Sequence, residues 1–198
     1  MGPARPSYGP GATGEHRVPQ PRTVLGLECL HGGRRHSASP TQRCRRPCPQ
    51  LDDVAQHFAE LDADAFRVPA ADGLVEWFEE LLHRPRSADA VWLVAEVDGR
   101  VVGDVSAHLE QPAGDADRQS LRDLGRVRMY VNALAIAGPY RRRGVGARLM
   151  GSVEEWGRAK GAVRSVLTTY HASPLSVPFY EQGMGYERRS IVFEKRID

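Results

Sequence analysis

The sequence predicts one α/β (α+β) domain over residues 42–198 behind a basic, disordered tail at 1–41. Three observations predict it. Strand-like and helical hydrophobic periods follow one another after residue 49, with single helices set between strands late in the chain, which implies a sheet with a crossover connection. Two β-rich runs are joined by Asp98-Gly99, a two-residue hairpin signal. The first 50 residues differ in kind: they hold eight arginines against two acids, eight of the 14 prolines and all three cysteines. Their balance is +6 in a chain of net +2, which leaves −4 on the remainder.

The elements follow in order. Residues 42–46 offer a first strand with poor strand side chains. After Pro49, Val54, Phe58 and Leu61 stand at i, i+4 and i+7 and share one helix face. A second helix is predicted after Asp72, an N-cap residue type, with Leu74, Trp77, Phe78, Leu81 and Leu82 as its apolar stripe. His83-Arg84-Pro85 stops it. Residues 91–97 and 100–109 are the hairpin strands. Residues 111–124 are polar, with Pro112 and Gly114, and read as a loop or a short helix. Residues 126–136 form a long strand, apolar on both faces toward its end, as a central strand is. Gly138-Pro139 ends it. Val145, Leu149, Val153 and Trp156 mark a helix over 144–160, closed by Gly161. A strand at 163–169, a short helix at 176–182 and a last strand at 186–195 complete the order.

The tail is rich in Pro, Gly, Arg and Ser and has no hydrophobic period, so disorder is expected. It has neither the continuous apolar stretch of a secretory signal nor the amphipathic pattern of a transit peptide. Runs 91–97 and 130–137 are far shorter than the roughly 20 apolar residues that span a bilayer, so a membrane protein is excluded. Arginine outnumbers lysine 25 to 2, a compositional bias that weakens any nucleic-acid reading of the basic tail. Cys29, Cys44 and Cys48 are odd in number and their spacing with His31 and His36 fits no standard zinc site; no metal and a reducing, cytoplasmic setting are expected.

The segment that carries chemistry is Ala133-Leu134-Ala135-Ile136-Ala137-Gly138-Pro139-Tyr140-Arg141-Arg142-Arg143-Gly144-Val145-Gly146-Ala147. A strand ends, a short loop turns, and two glycines open a helix. The first N–H groups of a helix lack internal partners and lie at the positive end of its dipole, which makes an anion site. Arg141, Arg142 and Arg143 add charge at its mouth. Close helix–strand packing by Gly144 and Gly146 accounts for the same glycines, and both accounts stand on spacing alone. A dinucleotide fingerprint wants G-x-G-x-x-G after the first strand, which is not the arrangement here.

Arg141-Arg142-Arg143-Gly144-Val145-Gly146 resembles the Q/R-x-x-G-x-G/A signature of the GNAT N-acetyltransferase superfamily. About 30 residues on, Ser173-Pro174-Leu175-Ser176-Val177-Pro178-Phe179-Tyr180-Glu181-Gln182-Gly183-Met184-Gly185-Tyr186 is similar to the family's N-x-x-A-x-x-L-Y-E-x-x-G-F/Y ending. The resemblance covers about 42–198 and implies a mixed, mostly antiparallel sheet flanked by helices.

It also implies acetyl-CoA as co-substrate and a primary amine of a small molecule (a metabolite or an aminoglycoside-like antibiotic) or of a protein as acceptor. Main-chain groups of Leu134, Ala135 and Ile136 would bind the pantetheine arm. Backbone N–H groups from Arg142 through Gly144, Val145 and Gly146 to Ala147 would hold the pyrophosphate. Ser173 stands where the family has a cofactor-contacting Asn, and Tyr180 matches its general acid. Many members carry a basic Glu on the central strand; this strand has no acid between Arg126 and Ile136. Glu110, His108, His171 or a water is left for that role. Without one, the alternative is a non-catalytic acyl-CoA-binding or regulatory module of the same fold. No nucleic-acid or membrane partner is expected; a homodimer is left open.

Overall fold

The computed structural model describes residues 22–24, 49–70, 72–74, 76, 77, 80, 87–98 and 100–197. Five strands form one sheet in the order β1 (Arg22–Val24), β2 (Ala90–Val97), β3 (Arg100–Glu110), β4 (Arg128–Ile136) and β5 (Arg164–Leu167). The first three pairings are antiparallel and β4–β5 is parallel. The mixed, mostly antiparallel sheet expected above is therefore present. Helix α1 is Pro49–Leu61, α2 is Val145–Ala159 and α3 is the short Ser176–Pro178, which runs on into a π-turn at Phe179–Gly183.

The hairpin closes as its turn chemistry requires. Val97 pairs with Arg100 across a two-residue loop, and Asp98 takes the positive φ of 50° that such a turn needs. Strand alternation then sorts the side chains. Val105, Ala107 and Leu109 of β3 and Met129 and Val131 of β4 are buried with Leu149, Met150 and Val153 of α2, whose i, i+4 spacing presents one apolar stripe. Leu93, Val105, Met129, Leu149, Met150 and Val153 are at most 1% exposed and form the centre of the core. The other face carries Trp92, Ser106, His108 and Tyr130, all only half-buried. Helix α1 packs on β4 and β3.

Several expectations shift. The helix at 144–160 and the strands at 126–136 and 163–169 are present but shorter. Polar residues 111–124 hold two 3₁₀ turns, Ala116–Arg118 and Arg122–Gly125. The first strand expected at 42–46 lies outside the described residues. Of the expected tail only Arg22–Val24 is described, paired with β2. Most of the second helix also lies outside them, although Leu74, Glu76, Trp77 and Glu80 are helical.

The strand expected at 186–195 does not form, and this is a correction. A strand exists through backbone partners, and residues 186–195 pair with no described strand. The Tyr186 hydroxyl bonds Ser165 of β5 and Glu154 of α2, and Arg188 is drawn back onto Glu181 in an ion pair. Ile191, Val192 and Phe193 beyond it are exposed.

Candidate functional site

One extra residue creates the opening in the sheet. Ala107 pairs with Val131 but Ser106 pairs with Ala133, so Asn132 is an inserted, bulged residue of β4. A bulge bends its strand. Strand β5 follows β4 only from Arg128 to Val131. From Asn132 to Ile136, β4 has β3 on one side and, among the described residues, no strand on the other. The backbone there is an unpaired edge, able to accept an extended ligand as an added strand. Asn132 and Ala133 are exposed and Leu134 half-exposed, whereas Ala135 is buried. The Ile136 carbonyl already accepts the Arg141 Nε–H at 3.0 Å.

The chain leaves β4 through a 3₁₀ turn, Gly138–Tyr140, and enters α2. Arg142 has φ 59° and Gly144 φ 78°, so two left-handed residues bracket Arg143 at the helix entrance. For Arg142 that conformation costs about 1 kcal/mol or more. Left-handed residues in such a loop are a feature of the backbone concavities that bind anions. The first α2 bond to a preceding carbonyl is Arg148 N–H to Gly144 O at 3.1 Å, so the N–H groups of Val145, Gly146 and Ala147 have no partner within the helix. No side chain caps this end. Arg142, Arg143 and Gly144 are exposed, and the Arg143 guanidinium lies 5.6 Å from the Tyr140 ring centre.

Phe179 connects this entrance to the π-turn. A Cβ added to Gly146 would lie 3.4 Å from the Phe179 ring and 3.7 Å from Ile136. Tyr180 follows it, with ring contacts to Phe179 at 5.0 Å and to Tyr186 at 5.8 Å. Burial pushes the Tyr180 phenol up to about 12, so it holds its proton at neutral pH. Burial raises Tyr186 as well, with the Glu154 carboxylate adding to it.

Ser173, 2% exposed, accepts the Ser176 N–H at 3.1 Å and bonds Ser176 Oγ at 3.1 Å and His57 Nε2 at 3.2 Å. It fixes the turn that launches α3. His57 belongs to a second, polar face of α1. Asp53, one turn before it, accepts the Gly138 N–H at 2.6 Å. Just past the helix, Asp62 accepts the Tyr170 hydroxyl at 2.7 Å.

A protein-family model described as the acetyltransferase (GNAT) family matches residues 55–186, which include every feature above except Asp53. The chain belongs to the GNAT acetyltransferase family. Over 105 residues it is 30% identical to the probable N-acetyltransferase camello of Xenopus tropicalis, a match that covers 53% of this chain and 42% of that protein. The chain thus spans less than half the length of that relative. Among solved structures it is similar to a mutant form of the BH1408 protein of Bacillus halodurans, with a TM-score of 0.65, 16% identity, and 79% and 95% of the two chains covered. It is also similar to a transcriptional regulator of Bacillus halodurans C-125, with a TM-score of 0.53, 19% identity, and 75% and 93% covered. These two likenesses show the fold.

Within this GNAT chain, Leu134, Ala135, Ile136, the stretch 141–147 and Phe179-Tyr180 are drawn to one end of the sheet. Ser173 is buried and bonds His57 and the turn that leads into Phe179-Tyr180. Of the base candidates, Glu110 is ion-paired to Arg128 at 2.7 Å and His171 packs on Tyr170 at 5.1 Å. His108 bonds Asn132, with Nδ1 3.0 Å from Oδ1, and lies against Tyr130 at 5.6 Å. Sequence reading did not find Asn132 as the bulge, Arg142 as a left-handed residue, or Asp53 and His57 as supports. The i, i+4 spacing of Asp53 and His57 is the only signal the last two leave, and a solvated helix face leaves the same one. No helix among the described residues is long and apolar enough to cross a membrane.

Proposed function

We propose that this chain is a cytoplasmic N-acetyltransferase that moves the acetyl group of acetyl-CoA onto a primary amine, through the domain at 42–198. The observation that carries the reading is the parting of β4 from β5 at Asn132, in the strand whose Ile136 end lies with Phe179 at the uncapped α2 entrance. These residues fit a nucleotide thioester: an unpaired strand edge suits an amide-bearing arm, and a left-handed, arginine-flanked helix entrance suits a pyrophosphate.

Acetyl-CoA supplies an acyl group already activated as a thioester. Main-chain groups of Leu134, Ala135 and Ile136 hold the arm in strand fashion. N–H groups from Arg142 to Ala147 take the pyrophosphate, with Arg141, Arg142 and Arg143 adding positive charge. A backbone N–H near Leu134 polarises the thioester carbonyl, stabilising the charge that develops on oxygen. Tyr180, kept protonated by burial, gives its proton to the departing sulfur. Ser173 contributes through the α3 turn it fixes. The acceptor is a small-molecule amine, such as a metabolite or an aminoglycoside-like antibiotic, or a protein amine; the −4 balance of residues 51–198 suits a cation.

Calorimetry with acetyl-CoA, then thiol release over a panel of amines, tests the proposal. Saturable binding and amine-dependent thiol release are expected. No binding removes the whole reading, and binding without turnover across the panel leaves an acyl-CoA-binding module instead.

A further inference from the structure

The acceptor of an acetyl transfer arrives as an ammonium ion and must lose a proton before its lone pair can attack. Beta strand 4, the central strand beside the thioester edge, has no acid to receive it. Its neighbour β3 supplies His108 on the half-exposed face of the sheet, directly opposite Tyr130. His108 Nδ1 lies 3.0 Å from Asn132 Oδ1. A carboxamide oxygen only accepts, so this bond places a hydrogen on Nδ1, and in the neutral ring the lone pair is then on Nε2. Asn132 is the bulged residue at which β4 parts from β5. The residue that opens the slot therefore also orients the imidazole beside it. A base within reach of the reacting atom and held by a third group is the general arrangement of activated sites. One rival, Glu110, is engaged elsewhere in an ion pair with Arg128.

We propose that His108 is the general base of this enzyme and Asn132 its positioning residue, an inference that rests on the acetyltransferase reading above. Nε2 takes one proton from the acceptor ammonium and releases it to solvent. The freed nitrogen lone pair forms the N–C bond, and the C–S bond breaks with its electron pair going to sulfur. Sulfur takes the Tyr180 proton, and the second proton lost from nitrogen restores the phenol.

Two measurements test this on the full chain. Long-range nitrogen–proton NMR of the histidine rings should show neutral His108 with its hydrogen on Nδ1, and Asn132→Ala should release it toward the Nε2–H form; an Nε2–H ring in the unaltered protein overturns the assignment. For kinetics, the fastest acceptor among kanamycin, spermidine and a Ser-Ala peptide is compared with hydroxylamine, which is largely neutral at pH 7. His108→Gln should lower kcat/KM for the charged acceptor by about 100-fold or more, as general bases contribute. It should leave hydroxylamine and acetyl-CoA affinity nearly unchanged. An equal rate for the charged acceptor, or an equal loss with both acceptors, overturns the base role. Failure of the unaltered protein to bind acetyl-CoA, or to release thiol with any of the three amines, counts instead against the acetyltransferase reading beneath it.

Discussion

The Asp53 carboxylate accepts the Gly138 N–H at 2.6 Å, joining the first turns of α1 to the loop between β4 and α2 across 85 residues of chain. The loop that enters α2 is thus pinned from outside the sheet. Asp53→Ala leaves a part-buried N–H without its acceptor, at a cost of about 1–3 kcal/mol. For a chain of this size each kcal/mol lowers Tm by about 2–4 °C. Asp53→Asn keeps an oxygen in place and should cost less. Thermal melts of the two variants order the effect, and acetyl-CoA affinity should fall with Asp53→Ala. An alanine variant that melts with the parent shows that the bond does not hold the loop.

Gly144 and Gly146 separate the two explanations their spacing allows. Gly144 has φ 78° and open space around its missing Cβ, so Gly144→Ala is strained by conformation alone, at about 1 kcal/mol. Gly146 has ordinary φ, and an added methyl would meet Phe179 at 3.4 Å, a normal contact. Gly146→Ala should therefore leave Tm unchanged or slightly raised, because alanine favours helix. If the pyrophosphate approaches the bare backbone there, calorimetry will show weakened acetyl-CoA binding in a fully stable protein. Unchanged affinity would assign Gly146 to packing.

What could be read from the sequence was what is local. The 91–109 hairpin depends on a turn dipeptide and strand alternation. The glycines of the loop before α2 declare themselves by spacing. The bulge at Asn132 could not be read, because it is a mismatch of register between two strands and no residue type marks it. Asp53 and His57 were hidden for another reason: a polar helix face that docks on loops is composed like one that meets water. The 186–195 strand failed in the opposite sense. Its pattern is strand-like, yet it pairs with no described strand, and Ile191, Val192 and Phe193 lie 80%, 70% and 88% exposed. The loop glycines and Tyr180 could thus be singled out from the sequence, and the contacts that position them could not.

The Tyr170 hydroxyl bond to Asp62 predicts a pH-dependent stability. That bond, with N–H donation from Ala65 and Asp64, holds the Asp62 carboxyl below its ordinary value, and the same bond raises the Tyr170 phenol. A lowered carboxyl stabilises above the unfolded-state value near about 4 and loses that as pH falls through its folded value. A raised phenol stabilises below about 10 and loses that as pH rises through its folded value. The Tm difference between the parent and Tyr170→Phe should thus be greatest between about pH 5 and 9 and shrink at both ends. Phenylalanine keeps the ring packing against Phe66, 5.2 Å away, so a difference independent of pH would show that the bond to Asp62 is not what the hydroxyl contributes.

Tyr180 carries the chemical prediction. Its neighbours Phe179 and Tyr186 bury the ring, and burial alone lifts the phenol to about 12. A group so raised stabilises the fold below its unfolded value of about 10 and loses that contribution as pH rises toward 12. Alkaline melts of the parent should therefore fall more steeply between about pH 10 and 12 than those of Tyr180→Phe. In catalysis the same shift keeps the proton available over the whole neutral range, so Tyr180 should give no basic limb to kcat below about pH 11. Phenylalanine preserves the ring contacts and removes only the proton, so Tyr180→Phe should lower kcat by about 100-fold or more with little change in acetyl-CoA affinity. Turnover equal to the parent would leave Tyr180 a packing residue, and the departing sulfur would then draw its proton from water.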